Sequence, residues 1–120
     1  MPIAAAVLVA FVAVLHLWFL VLEMFLWNTA FGRSRLKMSA QQAEATAPLA
    51  RNQGLYNGFL AAGLLWSFFL PPPFAFQVRV FFLACVLVAG LYGGLTTAKA
   101  ILFLQALPGA IALAVVLAAR

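Results

Sequence analysis

The chain is a series of long apolar runs separated by short polar interruptions. The first run extends from about Ile3 to Phe31, a second covers about Leu49 to Leu70, a third about Phe74 to Tyr92, and a fourth about Ala98 to Ala119. Each has roughly the ~20 apolar residues that a helix needs to cross a bilayer. The pattern predicts an all-α fold, a four-helix transmembrane bundle forming a single integral membrane domain over residues 1–120. At ~1.5 Å rise per residue the first run overshoots a ~30 Å hydrocarbon core, so tilt or emergence at one end is expected. It lacks an early Lys or Arg and exceeds the h-region of a secretory signal, so it reads as a retained transmembrane helix.

The interruptions define the connections. The stretch "GRSRLKMSAQQAEATAP" is the main polar segment. Within it Ser39 followed by Gln42 fits a capping box, and Pro48 is a natural stop, so a short interfacial helix is expected after the first span. Pro71, Pro72 and Pro73 predict a tight turn. Gly93, Gly94, Thr96 and Thr97 break the pattern again. Pro108 and Gly109 predict a kink in the fourth helix, which membrane bundles tolerate when neighbouring groups satisfy the freed carbonyl.

Composition agrees with this reading. Hydrophobic residues make up 68% of the chain and charged ones 8%, against about half and a quarter in a soluble domain. The net charge of +5 does not take the form of a basic stripe with interleaved aromatics, so nucleic acid is not an expected partner. The cations instead read as topology signals and contacts to membrane lipids. Arg33, Arg35, Lys37, Arg51 and Lys99 fall on one face of the membrane, and Arg79 and Arg120 on the other. Five against two places the first loop in the cytoplasm and both termini outside a bacterial inner membrane. Arg79 also reads as a pore or lipid contact. Cys85 is the lone cysteine and reads as a small buried hydrophobe. One Cys, one His and two separated acids give no metal-ligand spacing, and no cofactor motif is present.

The candidate chemistry lies in the polar residues that interrupt the apolar runs. His16, Leu20, Glu23 and Trp27 share a helical face, with His16 and Glu23 about 10.5 Å apart along the axis. Gln53, Tyr56 and Asn57, just after Asn52, share an arc of roughly 100°. Antiparallel pairing across the first loop brings Glu23 level with Asn57, each eight residues from its end of the connection. Tyr92, Lys99 and Gln105 would close the ring. A carboxylate in hydrocarbon costs at least ~2.5 kcal/mol, so Glu23 must be protonated, paired or solvated. The amides also fit a simpler role of tying helices together, and His16 fits a packing role. Gly54 with Gly58 and Gly90 with Gly94 each form a GxxxG spacing, which permits close helix approach within one chain or between two copies.

At "LEMFLW", residues 22 to 27, and "NQGLYNGFLAAGL", residues 52 to 64, the sequence resembles the small bacterial four-helix integral membrane proteins catalogued only as a domain of unknown function. The resemblance covers nearly the whole chain. It implies the fold and points to His16, Glu23, Asn52, Gln53, Tyr56 and Asn57 without giving them roles. Three functions remain open. The first is binding or transport of a small amphipathic or cationic ligand at Glu23, in a layout reminiscent of the dimeric small multidrug transporters, whose local motifs are not matched here. The second is a membrane-embedded enzyme acting on a lipid or isoprenoid-like substrate, with His16 and Glu23 as acid and base. The third is a structural or accessory subunit.

Overall fold

A computed structural model describes residues 2–120, and it is all-helical, with no strand among the described residues. Helix α1 spans Ile3–Val21 and continues through a π-helical turn at Leu22–Leu26. Helix α2 is Ala30–Leu36, α3 is Ala40–Trp66, α4 is Pro72–Thr96, and α5 is Leu107–Ala118, entered through a second π turn at Leu102–Ala106.

Among the described residues, two helical segments, Ile3–Leu26 and Pro72–Thr96, are long and apolar enough to cross a membrane, with mean hydropathies of 2.7 and 2.2. The expectation of four such helices is met only in part. Leu102–Ala118 is apolar but shorter. Helix α3 is long, yet its first half carries Gln41, Gln42, Glu44, Arg51, Asn52 and Gln53, which dilute its hydropathy.

Several boundaries differ from the sequence reading. The expected capping box exists: Ser39 Oγ accepts from the Gln42 amide at 3.1 Å, and Gln42 Oε1 accepts from the Ser39 amide at 2.9 Å. It opens α3 itself, and Pro48 sits inside that helix instead of ending it. The short helix lies earlier, at α2, and closes on Lys37 in the left-handed conformation (φ 55°), with the Met38 amide donating to Arg33 O at 2.9 Å. The three prolines do not make the turn alone. A single 3₁₀ turn at Ser67–Phe69 makes it, and Pro72 and Pro73 begin α4, where a missing N–H is no loss. The Gly93–Gly94 pair does not break α4, which runs on to Thr96.

The chain divides into two compact units. One comprises the residues up to Ala13 together with Leu60–Arg120. Its core is built of small and branched side chains, with Ala5, Val9 and Val12 from α1, Leu64 from α3, Leu83 and Val86 from α4, and Ala112 and Val116 from α5. The alanines among them let helix backbones approach closely. At Gly90 the approach is backbone to backbone, since a Cβ there would lie 2.7 Å from the Ala106 nitrogen and 2.8 Å from its Cα. Gln105 Nε2 donates to Val86 O at 3.1 Å and ties the second π turn to α4. The other unit, Val14–Phe59, is the hairpin formed by the end of α1, α2 and the first part of α3.

Candidate functional site

The Val14–Phe59 unit closes the predicted pairing of Glu23 with Asn57. Asn57 Nδ2 donates to Glu23 Oε1 at 2.5 Å. Two local features position the carboxyl. Glu23 lies in the π turn, where the extra residue re-aims side chains relative to a regular helix. Opposite it, α3 presents Gly54, where a Cβ would lie 2.6 Å from Met24 Cγ and 3.1 Å from Glu23 Cβ. The absence of that carbon lets the two backbones come close enough for a short side-chain bond. Gly58 continues the same seam one turn on, with Leu20 filling the space a Cβ would need.

The hairpin is held in register from its loop end. Trp27 Nε1 donates to Thr46 Oγ1 at 3.0 Å, while Thr46 Oγ1 donates to Gln42 O at 2.7 Å. Thr29 caps α2, accepting from the Gly32 amide at 3.2 Å, and donates to Leu26 O at 2.7 Å. That last bond satisfies a carbonyl at the end of the π turn. Arg33 Nη1 donates to the backbone and side-chain oxygens of Asn28 at 2.9 and 3.0 Å. The buried positions of α3 here, Ala43, Ala47, Ala50 and Gly54, recur at helical spacing along one stripe, and Gly54 on it meets Met24 and Glu23.

The remaining predicted residues are dispersed. His16 is fully buried and meets Phe19 edge-on, with ring centroids 5.2 Å apart. Asn52, Gln53 and Tyr56 are exposed, and Tyr56 lies edge-on to Phe59 at 5.8 Å. Tyr92 and Lys99 are exposed residues of the other unit. The Glu23–Asn57 bond is thus the centre of the candidate site, with Gln53 and Tyr56 on the exposed surface of the helix that carries Asn57.

Sequence reasoning read Arg79 only as a pore or lipid contact and did not foresee its cluster with Ser67 and Phe68, in the other unit. Arg79 is 6% exposed, its Nε donates to Ser67 Oγ at 2.9 Å, and its guanidinium carbon lies 4.7 Å from the centroid of the Phe68 ring. Ser67 Oγ in turn donates to Leu64 O at 2.5 Å. The available signal was a lone serine and a lone arginine, each inside an apolar run, 12 positions apart across the proline turn.

Comparison with known proteins agrees with the sequence resemblance. Residues 10–117 match a family described as a protein of unknown function, DUF1304. The uncharacterized protein YpaA of Lactococcus lactis subsp. lactis is 31% identical over 107 residues, covering 88% of this chain and 89% of that protein. No solved structure matches. The chain belongs to the DUF1304 family of proteins of unknown function.

Proposed function

We propose that this is a multi-pass membrane protein whose Glu23–Asn57 pair is an intramembrane polar site for a small amphipathic cation. The observation that carries the site is the 2.5 Å bond from Asn57 to Glu23, placed in a π turn of a helix apolar enough to span a bilayer. Membrane residence is supported by the distribution of apolar side chains. The two windows long and apolar enough to span are each only 28% buried, whereas the core helix of a soluble protein hides most of its surface. Phe25 and Phe31 in one unit, and Phe81, Val88, Leu95 and Phe103 in the other, are exposed, and so much outward apolar surface calls for a partner or a lipid phase.

In this reading α1, α3, α4 and α5 form the four-helix bundle, with Leu102–Ala118 as its shortest crossing. An acid in such a segment faces the bundle or a polar cavity and marks a ligand or ion pathway. Asn57 holds the carboxyl until a cation displaces the amide and pairs with the ionised form. Binding then strengthens as pH rises through the range where the carboxyl ionises. The enzymatic reading is weaker, because His16 packs edge-on against Phe19 with no exposed surface.

The test is thermal stability of the purified protein in detergent with a lipophilic quaternary ammonium probe between about pH 5 and 9. Stabilisation should grow with pH in the parent. In Glu23→Gln, which keeps shape and hydrogen bonding, that pH dependence should vanish while the protein alone melts at or above the parent temperature. An identical pH profile in both proteins overturns the proposal.

A further inference from the structure

Within the unit that contains Ser67 and Arg79, a cavity of about 660 Å³ opens beside the proline turn. Its walls are Phe68, Leu70, Pro72, Phe76 and Val116 with small alanines, and its polar groups are Ser67, Arg79 and Arg120. Every charged side chain lining it is therefore cationic. The chain's two acidic residues, Glu23 and Glu44, both belong to the other unit. The guanidinium of Arg79 is held in place, with Ser67 fixing its Nε and Phe68 lying under its face. Arg120, more exposed, has its guanidinium carbon 5.9 Å from the Phe76 ring.

We propose that this cavity binds a phosphate group carried on an apolar tail, the chemistry of an anionic phospholipid. Three features point to that class. A guanidinium presents a planar fork of donors that suits phosphate oxygens. Two cations converge on one space, so an anion gains from both. The other walls are aromatic and aliphatic, which suits an acyl chain and offers nothing to a fully hydrated ion. Ser67 acts as a positioning residue, since its hydroxyl accepts from Arg79 and donates to Leu64 O. The site is separate from Glu23 and carries the opposite charge preference, so it stands or falls without the cation proposal.

Native mass spectrometry and thermal melting of the detergent-solubilised protein, titrated with phosphatidylglycerol, phosphatidylcholine or inorganic phosphate, test it. Phosphatidylglycerol should be retained and should raise the melting temperature, with phosphatidylcholine clearly weaker. Inorganic phosphate that displaces phosphatidylglycerol would identify free phosphate as a second source of the same chemistry. Failure to displace it would identify the lipid as the source. Arg120→Gln removes one charge-assisted contact and should weaken phosphatidylglycerol binding about tenfold. Arg79→Gln should weaken it further. If Arg79→Gln does not fold, Ala119→Trp, which intrudes on the cavity from a half-buried position, takes its place and should weaken retention. Glu23→Gln should bind phosphatidylglycerol as the parent does. Equal phosphatidylglycerol affinity in the parent, Arg120→Gln and Ala119→Trp overturns the proposal.

Discussion

Individual residues in this protein act mainly through what they allow to come close. Gly90 is the clearest case. A methyl group there meets backbone atoms of Ala106, which cannot rotate away, so Gly90→Ala has to push the second π turn off α4. Overpacking of this kind costs about 1–3 kcal/mol, and Gly90→Ala should melt measurably below the parent. Gly93, three positions later in the same helix, is the control. Its added carbon would sit 3.4 Å from Ile101 Cδ1, an ordinary contact with a flexible tip. Gly93→Ala should be neutral or stabilising by up to ~1 kcal/mol through helix propensity alone. Equal losses in both variants would mean that the close approach at Gly90 has no special weight. The candidate site was legible in the sequence to the extent that helix geometry and antiparallel pairing determine it. Glu23 and Asn57 could be matched by counting from the loop. Gln53 and Tyr56 could not be excluded that way, because a 100° arc includes both the seam and its exposed flank.

At the scale of elements, the recurrent theme is a helix that continues through a residue expected to stop it. Pro48 is exposed inside α3, where it removes one backbone donor and crowds the preceding turn. Its ring covers little, so Pro48→Ala should restore the missing bond without loss of packing and raise the melting temperature. A lower melting temperature would show that the distortion at Pro48 is needed for the register held by Trp27 and Thr46. Pro108 is accommodated differently. The π turn at Leu102–Ala106 precedes it, and the Leu107 amide donates to Leu102 O across the widened ring, so the proline enters at the start of α5. These outcomes explain why helix existence was readable and boundaries were not. Apolar periodicity reports what is buried, whereas a proline at a helix start and one in its middle look alike in sequence. The π turns left no signal at all, since an inserted residue in an apolar run changes neither composition nor length noticeably.

At the scale of the whole molecule the open quantity is topology. The stretch from α2 through the first half of α3 gathers Arg33, Arg35, Lys37 and Arg51, while the turn before α4 is built of prolines and aromatics without a basic residue. Short loops rich in Lys and Arg are retained in the cytoplasm, and the bias counts most within ~15–20 residues of the spans. Arg79 does not weigh against this as a loop charge would, because it is buried beside Ser67 and Phe68. With Arg79 set aside, the positive-inside count still rests on the cations of this region, and the expectation it yields is a cytoplasmic first loop. Leu36→Cys and Pro72→Cys, each at an exposed position in a Cys85→Ser background, should therefore react from opposite sides of the membrane. In intact cells a membrane-impermeant maleimide should label the cysteine at position 72 and spare that at 36. In inverted vesicles the preference should reverse. Labelling of both from one side would rule out an odd number of crossings between them and remove α3 from the spanning set. A clean exchange of the two patterns would place the termini in the cytoplasm, and the cations of the first loop would then be read as contacts to the outer surface.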